Sequence, residues 1–164
     1  MIVVSPRKSA GWLACAVSAA GAFAVAVSAP LAQAQSGAVP KPYAAACQAC
    51  HKADGSGMPG VFPRLKGRLG PAAASKDGRR WLISTVLFGQ SGEITVDGKK
   101  IRGAMPGVAR LADGDIADTL NWLAGGPEKP ITAAEVAAVR TQSSVNAKQV
   151  AEMRAALASA GTLK

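Results

Sequence analysis

Cysteine and histidine are scarce in this 164-residue chain, which has three of the first and one of the second. One cysteine, Cys15, lies in the apolar N-terminal run, so only Cys47 and Cys50 remain in the body of the chain and a disulfide scaffold is excluded. A bridge between those two would close a loop too small to stabilise a fold, so the pair points to chemistry. Aromatic residues make up only 4% of the chain, which leaves a thin core for its length. Acidic residues are few, 10 against 19 lysines and arginines, giving a formal charge of +9. The basic residues are scattered, with no block, nucleic-acid-binding motif or row of stacking aromatics, so nucleic acid is not the expected partner. No internal repeat appears.

At the N-terminus Arg7 and Lys8 precede a long apolar run that ends at Pro30 and Ala32-Gln33-Ala34, an A-x-A cleavage pattern. Residues 1–34 are therefore expected to be a signal peptide, with an uncleaved anchor as the alternative for so long a run. Export to the periplasm and no stable membrane insertion after cleavage follow from the first reading. Without Arg7 and Lys8 the formal charge falls from +9 to +7, a surface suited to acidic partners. The remaining length suits one domain, 35–125, with a helical C-terminal extension, 126–164.

Pro42 to Cys50 is Ala-rich and reads as a helix running into His51, after which Gly55, Gly57, Pro59, Gly60 and Pro63 forbid regular structure. A second helix is expected over Arg79–Phe88: Trp81, Leu82, Thr85 and Val86 share a face, Ser75 or Asp77 caps it and Gly89 stops it. Ile94-Thr95-Val96 and Lys99-Lys100-Ile101 flank Asp97-Gly98, a short hairpin. A loop, Gly103-Ala104-Met105-Pro106-Gly107, leads to a third helix capped by Asp113, with Ile116, Leu120 and Leu123 buried and Gly125, Gly126 and Pro127 closing it. In the extension, Thr132 and Glu135 form a capping box, and Ile131 and Val136 a hydrophobic staple. A last helix, about Asn146 to Ala160, aligns Val150, Met153 and Leu157 for packing on the main domain or on another protein.

Cys47-Gln48-Ala49-Cys50-His51 is a C-x-x-C-H sequence, the pattern of covalent haem attachment. Two thiols two residues apart on a tight turn add to the two haem vinyl groups, and His51 then lies beneath the iron as its proximal nitrogen ligand. One haem c per chain is expected. A zinc site would need three or four ligands, and the body of the chain holds no other His or Cys. A thioredoxin-like dithiol would need a βαβ context that is absent.

These residues resemble the class I monohaem cytochromes c over roughly Lys41 to Gly125. Besides the attachment motif, Gly60-Val61-Phe62-Pro63-Arg64-Leu65-Lys66-Gly67 is similar to the loop that follows it in that family, and Gly103-Ala104-Met105-Pro106 to its distal-ligand loop. The resemblance implies an all-α cytochrome c fold wrapped around one covalent haem, with a short β-hairpin before the distal Met loop and an extra helical C-terminal tail. It also implies that the Pro63 carbonyl accepts a hydrogen bond from His51 Nδ1–H. The hairpin followed by G-x-M-P is similar to cytochromes that are electron-accepting subunits or partners of periplasmic dehydrogenases.

The sixth iron ligand follows by elimination as well, because a chain with one histidine cannot build a bis-histidine iron. Met58 lies too close to His51, and Met153 sits in the tail; Met105 stands 54 residues beyond His51, with Pro106 holding it out of helical geometry. Met105 filling a core gap, with the iron open, is the alternative. Axial His51 and Met105 make an electron carrier, with a periplasmic dehydrogenase as donor and a terminal oxidase or another cytochrome as acceptor; an open iron would bind a gas or reduce peroxide. An enzyme is not expected, since no second histidine is present to act as a distal base. Lys52, Lys66, Lys99, Lys100 and Arg102 are expected to surround the haem and dock an acidic partner.

Overall fold

A computed structural model describes residues 37–142 and 144–163, so the signal-peptide reading of residues 1–34 lies outside the described residues. The helices are α1 Lys41–Ala46, α2 Gln48–His51, α3 Gly70–Ala74, α4 Lys76–Phe88, α5 Asp113–Leu123, α6 Ala133–Arg140 and α7 Ala147–Ser159; an antiparallel hairpin, β1 Gln90–Val96 and β2 Lys99–Met105, lies between α4 and α5. Among the described residues no helix is long and apolar enough to cross a membrane.

The helix expected over Pro42 to Cys50 is broken in two. Cys47 leaves helical geometry at φ −120°, ψ −36°; its N–H closes α1 on Tyr43 O at 2.8 Å, and its carbonyl receives His51 N–H at 3.0 Å. The break lets the motif turn tightly instead of continuing along one axis. After α2, a chain rich in glycine and proline folds back under His51, pinned by Gly57 N–H to His51 O at 3.0 Å and Leu65 N–H to Gly55 O at 2.8 Å.

Helix α4 starts three residues earlier than expected, at Lys76, because the Ser75 side chain accepts Gly78 N–H and serves as the cap. It is the central element: Trp81, Leu82, Ile83, Val86 and Leu87 are all buried, more of its circumference than a single stripe supplies. Helices α3, α5, α6 and α7 all lie against it. Tyr43 of α1 packs on Trp122 of α5, with ring centroids 4.7 Å apart and planes tilted by 52°.

The hairpin is longer than expected. Its two-residue turn, Asp97-Gly98, takes φ of 50° and 73°, the geometry that suits the twist of the flanking strands. From there seven rungs run to Gln90↔Met105, so Gly103-Ala104-Met105 is strand and not loop. Pairing continues because β1 begins directly after the Gly89 stop of α4, so both strands stay extended as far as Gln90 and Met105.

Asp113 is not the cap of α5. Ala112 holds the cap position, and the Asp113 carboxylate, the first helical residue, accepts from Arg140 Nε at 2.8 Å. Arginines are the recurrent tie between the C-terminal helices and the rest. Arg79 on α4 meets the Glu135 carboxylate with two nitrogens and also donates to Pro130 O at 2.9 Å. Arg140 on α6 reaches Leu111 O at 2.8 Å, and Arg154 on α7 donates to Thr95 O on β1 at 2.9 Å. Both capping boxes, Thr132/Glu135 and Asn146/Gln149, are formed. Ile131, Val136, Val139, Val150 and Leu157 join the same hydrophobic core as α4 and α5, with Met153 partly buried against it. Wholly buried valines such as Val136 and Val150 contribute roughly 1.5–3 kcal/mol each. The tail therefore packs on the main body of its own chain.

Candidate functional site

The Cys47–His51 turn, the Phe62–Leu65 loop, α4, the hairpin, α5 and α7 all contribute to one apolar cavity of about 360 Å³. Cys47, Cys50, His51, Pro63 and Met105 all line it, so the structure brings together the five residues singled out in the sequence. Leu69, Trp81, Leu82, Val86, Leu120 and Leu123 form much of its wall.

His51 is 5% exposed, and its Nδ1 lies 3.0 Å from the Pro63 carbonyl oxygen. A carbonyl can only accept, so Nδ1 carries the proton and Nε2 keeps its lone pair for a ligand bond. Burial pushes the imidazole pKa below its ordinary value, with the Pro63 bond opposing the shift in part, so the ring is neutral at neutral pH. Phe62 packs edge-on to the imidazole at 6.4 Å between ring centres. The Tyr43 hydroxyl donates to Lys52 O at 2.6 Å and lies 3.3 Å from His51 O, fastening the end of α2. Its pKa is pushed up to about 12, chiefly by burial. That anchor matters because Lys52 sits at φ 60°, a backbone conformation that costs a non-glycine residue about 1–3 kcal/mol. Cys47 is half-buried and Cys50 exposed; burial first, then the neighbouring Cys50, raises the Cys47 thiol pKa.

Met105 enters the cavity through a chain of contacts that begins on α4. Trp81 Nε1–H donates to Gln90 Oε1 at 2.9 Å with both residues buried, and Gln90 is the strand partner of Met105. Neither Trp81 nor Gln90 was singled out for this role from sequence, where Trp81 reads as core alone. Of the five basic residues expected around the haem, only Arg102 lines the cavity. Lys100 and Arg102 both pair with Glu93, and the Lys66 ammonium sits 4.0 Å from the centre of the Trp122 ring. Among the described residues no three His, Cys, Asp or Glu side chains group as a metal cluster would require.

An apolar cavity that offers two thiols on one turn, a neutral imidazole oriented through its second nitrogen and a thioether fits an iron porphyrin held through sulfur, and these features define a c-type haem protein. Residues 38–127 match the family model Cytochrome c. The chain is 37% identical over 118 residues to cytochrome c-552 of Thermus thermophilus, covering 67% of this chain and 90% of the relative. A second cytochrome c-552, from a further strain of Thermus thermophilus, matches at the same identity and is covered to 80%. The chain is 34% identical over 113 residues to the gluconate 2-dehydrogenase cytochrome c subunit of Pantoea cypripedii, covering 65% of this chain and 25% of that longer protein. The chain belongs to the cytochrome c family, carries covalently attached c-type haem and is an electron carrier.

Proposed function

We propose that this chain is a periplasmic single-haem carrier, with the haem bound through Cys47 and Cys50 and with His51 and Met105 as axial ligands. It takes electrons from a dehydrogenase and delivers them to a respiratory acceptor such as a terminal oxidase or another cytochrome. One observation carries the ligand assignment: His51, already oriented by Pro63 at 3.0 Å, and Met105, already positioned by the Gln90 rung, line the same cavity. The dehydrogenase assignment draws on the likeness to a dehydrogenase cytochrome c subunit, and the periplasmic one on the signal-like N-terminus. Residues 126–164 act as a structural extension of the haem domain, since they share its core.

The haem, when bound, supplies a one-electron iron couple. The chain does the rest. Cys47 and Cys50 hold the group by thioether bonds, so exchange with solvent or other proteins is prevented. Pro63 holds the His51 ring in one tautomer and orientation and strengthens its donation through Nε2. Met105 supplies a soft sulfur that favours the reduced state. The leucine, valine and tryptophan wall excludes water and leaves little room for rearrangement. With His51 and Met105 both held by the iron, no site would be left open for substrate chemistry.

A spectroelectrochemical titration of the purified holoprotein, followed by exposure of the reduced form to carbon monoxide, tests the proposal. A single reversible one-electron wave and no rapid carbon monoxide uptake are expected. Rapid uptake would contradict it and assign the chain to gas binding or peroxide chemistry.

A further inference from the structure

The haem cavity carries charge of one sign. Among its lining residues are Arg68, Arg102 and Arg154, and none of them is aspartate or glutamate. Arg154 is the unexpected member, since it comes from α7, outside residues 38–127 matched by the family. It occupies the apolar face of that helix, four residues after Val150 and three before Leu157, and is only 8% exposed. A guanidinium has five N–H donors, and the hydrogen bond from Arg154 to Thr95 O uses one. Among the described residues it meets no carboxylate. Burial lowers the pKa of Arg154; Arg68 is lowered by burial and then by the nearby Arg154 charge, with Asp97 opposing and Arg64 adding to that effect. Arg154 thus lines an apolar cavity with no carboxylate among the described residues to meet its own charge, an arrangement that is costly until an anion joins it.

We propose that Arg154 is a haem-binding residue: the C-terminal helix α7 delivers its guanidinium into the cavity to bind a haem propionate carboxylate beside Arg68. This rests on haem occupying the cavity between His51 and Met105. A haem has two carboxylates on one edge and none elsewhere, so a buried guanidinium in a largely apolar cavity would select one orientation of the ring. The positive charge also opposes the ferric state, in which the iron centre carries one more positive charge, and so raises the potential. The extension thereby becomes part of the redox site as well as of the core.

The test uses full-length holoprotein, wild type, Arg154→Gln and Arg154→Lys. Midpoint potentials are measured beside the far-red charge-transfer band that reports a methionine sulfur on ferric iron. The expected result for Arg154→Gln is a lower potential, on the order of a tenfold shift of the reduction equilibrium, about 59 mV for one electron, with the band retained. Arg154→Lys recovers most of the shift. Equal potentials in all three proteins with the band present would overturn the proposal while leaving His51/Met105 ligation intact; no band in the wild type would remove the ligation itself. Independently of any variant, a crystal structure of the native holoprotein should show an Arg154 nitrogen about 2.7–2.9 Å from a propionate oxygen. Arg154 bonded to Thr95 alone, with the propionates elsewhere, would overturn it.

Discussion

Replacing Gly57 with alanine should damage the site through the Pro63 carbonyl rather than through the residue itself. Gly57 has φ of +65°, and a Cβ there would lie 2.5 Å from Pro63 O and 2.6 Å from Phe62 O. Both are backbone atoms, so neither can rotate away. Gly60 is the matched control: its φ is +79°, but a Cβ would meet nothing within 4 Å. Each substitution costs about 1–2 kcal/mol for an L-residue at positive φ. Gly57→Ala loses in addition about 1–3 kcal/mol to overpacking and about 0.5–1.5 kcal/mol to the weakened bond between His51 Nδ1–H and Pro63 O. Its excess cost over Gly60→Ala should be about 1.5–4.5 kcal/mol, read as a further fall of roughly 5–20 °C in the thermal midpoint of the holoprotein. The same displacement makes His51 a poorer donor, which raises the midpoint potential in Gly57→Ala and leaves it unchanged in Gly60→Ala. Equal losses of stability and equal potentials in the two variants would refute the claim that Gly57 makes room for the carbonyl that orients His51.

Three further outcomes follow from named contacts. The Arg79 hydrogen bonds hold the Glu135 carboxyl at a pKa of about 2, against 4.5 ordinarily, so its contribution to stability is complete above about pH 4.5 and is lost as pH falls towards 2. Urea unfolding should therefore find Glu135→Gln less stable than wild type at neutral pH, with the gap closing across that window; a gap independent of pH would contradict this. Trp81→Phe strips the buried Gln90 Oε1 of its donor, at a cost of about 1–3 kcal/mol, and loosens the rung that places Met105. A lower thermal midpoint with a weakened far-red band is expected, and no change in either counts against the role given to Trp81. Reduction by an acidic redox protein should slow as salt rises, and Glu93→Gln, which releases Lys100 and Arg102, should speed it at low salt. Stopped-flow rates that ignore both changes would remove the basic face from the docking account.

The features legible in sequence are those set by near neighbours. The Cys47–His51 motif, the Asp97-Gly98 turn, the Ser75 and Thr132 caps and the buried stripe of α5 each depend on residues a few positions apart, and each stands in the structure. What escaped depends on distant partners. Asp113 has the chemistry of a cap, yet a guanidinium 27 residues later claims its carboxylate. The break at Cys47 is invisible in an Ala-rich stretch because helix propensity does not register the tight turn between two short helices. Helix α3 is five residues long and Pro-initiated, too short to show a period. The hairpin's extension to Met105 runs through Gly92 opposite Gly103, residues that argue against a strand when read locally. Arg154 did leave a signal, a lone charge aligned with Val150 and Leu157, but its destination required the position of the hairpin.

The central claim, iron held between His51 and Met105, is tested most directly by the absorption spectrum of ferric holoprotein from wild type, Met105→Ala and Met58→Ala. Met58 is 46% exposed and serves as the control thioether. The account predicts the far-red methionine charge-transfer band in wild type and Met58→Ala, and its loss in Met105→Ala. A wild-type ferric spectrum that is high-spin and lacks the band, or a band that survives in Met105→Ala, would contradict it.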